Sequence, residues 1–357
     1  MRKESDKQIY NKKLIVVSFI AMFGVMLIHS GTIEDYNLLY EFGILNGIAG
    51  SIESTITDIA LFANAFFFMS AAYHFYYGLT EEKISHKLRR RIHTLLIPYV
   101  IAVTVSIGYY WLIYIIPGLT ERISMEKPDL SFIRISNEYL NPKFDYPLWF
   151  MKYLMIYACL SVIILQLLKH KRLSQFIIGI LVALDVFGIM TNFYVTWGSV
   201  YLVGAYKGLY SEKFEDGLSC GIFNKYKNLN FIILAFYLIV FSFVERTGLA
   251  YTICLNIYKY ISPFLVWSLS NRMIKFGTIL QKHWWSQITF IVYSYHVLVL
   301  PVLMKILYMI LPNNVLTGMA SYILGPILTF IAMIVSSSVI RKKNTVCWSL
   351  LTGGRGK

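Results

Sequence analysis

Residues 14–29 read LIVVSFIAMFGVMLIH, sixteen apolar or small residues that follow Lys12 and Lys13 and close on a histidine. Apolar side chains occupy every helical phase, which leaves no face for water, so the stretch predicts a membrane-spanning helix. Its few polar groups share one side. At about 100° per residue, Ser18, Ala21, Met22, Val25 and His29 fall on one stripe, with Ser18 and His29 ~16 Å apart. His29 reads either as an interfacial cap or, because ionisable groups at membrane depth are costly, as a functional group.

The rest of the chain repeats the pattern. Of 357 residues 57% are hydrophobic and 15% charged, and mean hydropathy is +0.58, which excludes a soluble globular class. About ten apolar segments follow one another at 14–29, 56–78, 92–116, 148–168, 174–190, 193–210, 229–244, 251–269, 285–311 and 317–340. The expectation is an all-α bundle of about ten transmembrane helices, a single domain over 1–343 with a short tail at 344–357. Lys207 and Lys259 make the middle segments the weakest of the set.

A net charge of +14 would suggest nucleic acid in a soluble protein. Here the basic residues fall between alternate apolar segments, as the positive-inside rule demands, and no nucleic-acid role is needed. Lys12 and Lys13, Lys83 to Arg91, Lys169 to Arg172, Arg272 to Lys282 and Arg341 to Lys343 share one side. The opposite side holds Glu34, Asp35, Glu41 and Glu53, with no basic residue between Ser30 and Asp58. Both termini are therefore expected in the cytoplasm. A longer loop on that opposite side, Pro117 to Pro147, mixes Ile116, Leu119, Ile123, Phe132 and Ile135 with charges, as a surface-lying segment would. The first apolar run has no small-residue cleavage site and reads as a retained helix. Cys159, Cys220, Cys254 and Cys347 show no paired spacing, so neither a metal site nor a disulfide framework is expected.

Five runs in order, LIHS, FFFMSAAY, LRRRIHTLLIPY, YPLWFMKYLMIY and IVYSYHVLVLP, resemble the bacterial membrane acyltransferase 3 family over about residues 10 to 340. That resemblance implies an enzyme moving an acyl group, usually acetyl from cytoplasmic acetyl-CoA, onto a hydroxyl of a capsular or other surface polysaccharide or its lipid-linked precursor. It further implies a bacterial plasma membrane, acyl-CoA and glycan as partners besides the bilayer, and no metal. His29 matches the family's essential histidine, while Ser18 stands where the family has an arginine. Arg91 fits the first arginine of the family's cytoplasmic Arg-x-x-Arg signature and Thr94 replaces the second, with Arg89 and Arg90 alongside to hold coenzyme A phosphates. Asn64, Ser70, Trp149 and His296 are the candidates for lining the substrate cavity.

Each has a plainer reading too. Ser70 suits close helix packing beside Ala71 and pairs with His74 one turn on. Trp149 suits an interfacial belt. His296 suits a bond to a neighbouring backbone. A glycan transporter or polymerase is the competing class, but no internal repeat supports it. A catalytically degenerate member that binds without turnover is the third reading, motivated by Ser18 and Thr94.

Overall fold

The computed structural model describes residues 5–31, 44–115, 131–226, 228–312 and 314–354. Glu34, Asp35, Glu41, Ile116, Leu119 and Ile123 lie outside the described residues. Among those described there is helix and no strand, as the apolar pattern predicts.

The first helix, α1 (Asp6–Ile28), starts on a capping box: Gln8 N–H donates to Ser5 Oγ at 3.4 Å and Ser5 N–H to Gln8 Oε1 at 3.1 Å. It ends at His29, where the Ser30 hydroxyl closes the last turn on the Met26 carbonyl. Next come α2 (Ile44–Ala60), α3 (Phe62–Tyr76), α4 (Glu81–Arg91) and α5 (Ile97–Ile115), the last two joined by a wider turn at Ile92–Leu96. A short helix α6 (Phe132–Leu140) precedes α7 (Trp149–Cys159) and α8 (Ser161–Leu168). The remainder is α9 (Lys171–Val186), α10 (Phe193–Tyr210), α11 (Gly221–Lys225), α12 (Leu229–Phe243), α13 (Leu249–Leu269), α14 (Ile274–Gln281), α15 (Thr289–Ile310), α16 (Val315–Lys343) and α17 (Thr345–Thr352).

All ten apolar segments thus form helix over their described residues, and among the described residues six helical stretches are both long and apolar enough to cross a bilayer: Asp6–Ile28, Gly47–Tyr76, Glu81–Ile113, Leu249–Gln281, Thr289–Ile310 and Val315–Lys343. The pair α7 and α8, bent by 63°, makes a seventh if it is one broken span. The other three expected spans differ for a physical reason. α9 has 16 residues and α12 has 15, below the ~20 that a hydrocarbon core needs. α10 is long enough at 18 residues but carries Gly198, Gly204, Lys207 and Gly208.

Those glycines place α10. A Cβ at Gly204 would lie 2.3 Å from the Met69 carbonyl oxygen, and one at Gly208 would lie 2.5 Å from that of Tyr73. The spacing is the small-x-x-x-small pattern that brings parallel membrane helices into backbone contact. α3 is consequently the buried axis of the bundle, with Phe66, Phe68, Met69, Ala72 and Tyr76 fully covered.

Of the expected tail, residues 344–354 are described and contain α17. α17 folds back so that Trp348 packs in one cluster with Met22, Met26 and Val292, and Gly353, with φ +60°, lies against the Thr94 backbone. In α6, within the longer loop, Phe132 and Ile133 are strongly exposed while Glu138 is buried.

Candidate functional site

Two places gather the groups that the sequence singled out. The first is where α1 ends. His29 and His296 meet there, their rings stacked with centroids 5.3 Å apart and planes at 28°. His296 donates its Nδ1 proton to the Tyr293 and Val292 carbonyls, at 2.8 and 3.1 Å, which makes Nε2 the acceptor of the neutral ring. That nitrogen is buried and has no partner among the described residues. His29 Nδ1 lies 2.5 Å from the Tyr146 hydroxyl, with the two rings edge to face.

Tyr146 is held on both sides. Before it, the buried Glu138 carboxylate accepts the backbone N–H groups of Lys143 at 2.7 Å and Phe144 at 3.0 Å, and Arg134 pairs with the same carboxylate. Phe144 stacks on Tyr110. After it, the Pro147 carbonyl accepts the hydroxyl proton of Tyr293, one turn before His296. Glu138 and Tyr293 therefore aim Tyr146 at His29. Between Phe144 and Tyr146 sits Asp145, fully buried, with neither carboxylate oxygen partnered among the described residues. Burial alone pushes its carboxyl well above the usual carboxylate range.

His29 ends α1 without lying at the end of the bundle. From His296, α15 runs on for 14 residues to Ile310, about 21 Å at 1.5 Å per residue. The histidine pair therefore sits partway along α15, with His296 fully buried and His29 half-buried. Tyr146 itself is 46% exposed.

The second place is the basic end, where α1 begins and α16 finishes. A cavity of about 570 Å³ is lined by His74, Lys87, Arg90, Arg91, Thr94 and Phe214, with Gly353 and Gly354 as one wall. Arg91 donates to the Ala71 carbonyl at 3.2 Å, and Lys87 to those of Phe75 and Tyr77 at 2.5 and 2.9 Å. These two cations satisfy the last carbonyls of α3 and complement its C-terminal dipole while still facing the cavity. Arg90 is exposed on its rim; Arg89 is exposed and does not line it. His74 donates from Nδ1 to the Ser70 carbonyl at 2.6 Å and accepts at Nε2 from the Tyr10 hydroxyl at 2.7 Å.

The remaining candidates separate. Asn64 is half-buried in the first turn of α3 and makes no hydrogen bond among the described residues. It lies one turn before Phe67, whose ring touches Phe150 and Tyr293, and so it shares a face with the histidine site. Ser70 is six residues on, ~9 Å further towards the basic end, and bonds with His74 there. The ring of Trp149 is engaged by Phe68, Phe150, Tyr153, Phe193 and Trp197, a packed aromatic cluster. Ser18 is half-buried on α1. Sequence reasoning passed over Tyr146, Glu138 and Asp145. Tyr146 was in view as the first letter of the YPLW run, but only tertiary contact gives it a partner 117 residues away.

Residues 11–341 match the family model described as an acyltransferase domain, and the chain belongs to that family. It is a multi-pass membrane protein of the acyltransferase class. Neither the curated proteins nor the solved structures contain a match to it.

Proposed function

We propose that this protein transfers an acetyl group from cytoplasmic acetyl-CoA to a hydroxyl of a surface or capsular polysaccharide, or of its lipid-linked precursor, in a bacterial plasma membrane. The observation that carries the reading is the contact of His29 with Tyr146 and His296 within an acyltransferase-family bundle. On this reading the basic end and both termini face the cytoplasm, and all ten apolar helices belong to the membrane domain. Arg90, Arg91 and Lys87 hold the donor's phosphates in the cavity they line, and Asn64 and His296 flank the acceptor. No step requires a metal.

The chemistry needs a base that takes the proton of the attacking hydroxyl near neutral pH, the role suited to histidine. With Nδ1–H donating to the Tyr146 oxygen, His29 Nε2 is the free base. As the sugar oxygen bonds to the thioester carbonyl, Nε2 takes its proton. When the carbon–sulfur bond breaks, that proton passes to the departing thiolate, leaving acetylated glycan and coenzyme A thiol. Tyr146 and His296 keep the His29 ring from turning while its charge changes.

Along α1, the turn with Tyr10 beside the basic cavity is 19 residues from His29, ~28 Å. Val17, Ala21, Phe66 and Met69 fill the α1–α3 interface in between and are fully buried. Direct delivery of the acyl group along that interface requires these side chains to part. The other route is an acyl-His29 relay, in which Nε2 attacks the thioester and releases the thiol before the acceptor attacks.

His29→Ala tests the reading. Purified protein in nanodiscs, given acetyl-CoA and a mixed glycan extract, should release free thiol in the wild type and lose at least a hundredfold in rate in the variant. Unchanged release removes His29 from the chemistry. Coenzyme A binding by a folded wild-type protein that releases no thiol selects the degenerate-member reading, which Ser18 and Thr94 favour.

A further inference from the structure

A second cavity at the basic end, of about 460 Å³, has no part in the reaction above. Lys13, Ser219, Asn230, Ser268, Asn271 and Arg272 line it. Lys13 and His29 are 16 residues apart on α1, ~24 Å, so this is a separate site.

Its polar groups are incomplete in a specific way. Lys13 is only 6% exposed; its ammonium sits 4.6 Å over the Trp267 ring, and no carboxylate pairs with it among the described residues. A buried, unpaired cation is costly and calls for an anion. Arg272 faces the same space from the other side. Trp267 Nε1 donates to Ser219 Oγ at 3.3 Å, which leaves the Ser219 proton available to an acceptor. Asn230, 2% exposed, donates one amide proton to Ser268 Oγ at 2.9 Å, while its Oδ1 is buried without a partner among the described residues and needs a donor. Two cations and a hydroxyl donor fit a phosphate ester. The orphan acceptor beside them fits a hydroxyl on the same headgroup.

The surroundings say where that phosphate comes from. Arg272 donates to Asn228 Oδ1 at 3.0 Å and lies 4.7 Å over Phe231. Asn228 is also a wall of a nearby groove, about 660 Å³, whose other walls include the exposed Ile222 and Ile232 and the half-buried Leu229, with Lys225 and Tyr226 at its edge. The Arg272–Asn228 hydrogen bond thus sets a polar, cationic cavity beside a largely apolar groove at the start of α12, the order of head and tail in an amphiphile.

The structure assigns this composite site to an anionic phospholipid whose headgroup carries a free hydroxyl, of the phosphatidylglycerol type. The phosphate lies between Lys13 and Arg272, the headgroup hydroxyl donates to Asn230, and an acyl chain runs along the α12 groove. The lipid ties the start of α1, the helix that ends in His29, to α12 and α13.

The test is thermal unfolding of the full chain in nanodiscs of phosphatidylcholine, with and without phosphatidylglycerol. Phosphatidylglycerol should raise the wild-type midpoint by about 4 °C, the size expected for a site filled well above its dissociation constant. The rise should persist in Lys275→Met, which removes a basic-end cation outside the cavity, and vanish in Lys13→Met and Asn230→Leu. Size exclusion and circular dichroism check that each variant is folded. Should Lys13→Met fail to fold, lipid retained in native mass spectrometry by wild type and by Asn230→Leu decides instead, with loss in the variant expected. A rise that persists in the cavity variants overturns the proposal as general charge attraction. An equal rise from millimolar glycerol 3-phosphate in phosphatidylcholine discs overturns the lipid source in favour of a soluble phosphate ester.

Discussion

Replacing Tyr146 with phenylalanine removes one oxygen, the one 2.5 Å from His29 Nδ1, and leaves the ring in its edge-to-face contact. In the resting enzyme this is a neutral hydrogen bond, worth about 1 kcal/mol. During transfer His29 gains a proton and the bond becomes charge-assisted, worth about 1.5–3 kcal/mol. Tyr146 is 46% exposed, so water competes for the bond and the lower half of that range applies. The expected loss is about 1.5–2 kcal/mol, roughly tenfold to thirtyfold in kcat at 1.36 kcal/mol per decade. The KM for the acyl donor should change little, because the bond strengthens only as charge develops. Stability should fall by no more than the worth of the neutral bond, about 1 kcal/mol, because Tyr146 is the hydrogen-bond partner of a half-buried His29. The assay is thiol release at saturating acetyl-CoA and acceptor, with the thermal midpoint measured in parallel. In a His29→Ala background the same substitution should cost nothing more. A Tyr146→Phe enzyme within twofold of wild type in kcat refutes the assignment of Tyr146 as the group that orients His29.

Arg91→Ala should raise the KM for acetyl-CoA about tenfold with kcat nearly unchanged, and the defect should shrink at high salt, where phosphate contacts are screened; substrate titrations at two ionic strengths check it. Gly204→Ala puts a methyl 2.3 Å from the Met69 carbonyl oxygen and forces α3 and α10 apart, so about 1–3 kcal/mol of stability should be lost, read as a lower thermal midpoint. Asp145 supplies a pH dependence. Because its folded carboxyl binds a proton more tightly than the unfolded chain does, its contribution is fully present below the unfolded value near 4 and is lost as pH rises through the folded value. Asp145→Asn should remove that loss, so the variant gains in midpoint over wild type as pH rises; equal midpoints across pH 5 to 9 would count against the carboxyl being buried unpaired.

Much of the architecture was legible in the chain because a bilayer imposes a one-dimensional rule: an apolar run either covers its backbone polar groups in a helix or stays out. Residues 14–29, the other nine apolar segments and their flanking lysines and arginines follow from that rule, and the family follows from five short runs in order. The histidines were legible as well, since an imidazole among apolar residues stands out by cost alone. Other features are decided by contacts between residues far apart in sequence. The Gly204 and Gly208 approach makes α3 the axis, and α10 is placed by backbone contact that hydropathy does not register. Ser70 and His74 look like neighbours of Asn64 in sequence, yet six and ten residues of helix carry them towards the basic end. Trp149 looks exposed in a list of interfacial residues and is packed among five rings. Tyr146 reaches His29 because a buried Glu138 and a tyrosine of α15 fix the loop between them. The chain by itself determined that this is a helical multi-pass membrane protein, because apolar runs must satisfy their backbone polar groups within a helix whatever the neighbours. Which of its polar groups touch was decided only by the tertiary structure, because a hydrogen bond needs two partners within about 3 Å and sequence spacing sets that distance only inside a single helix.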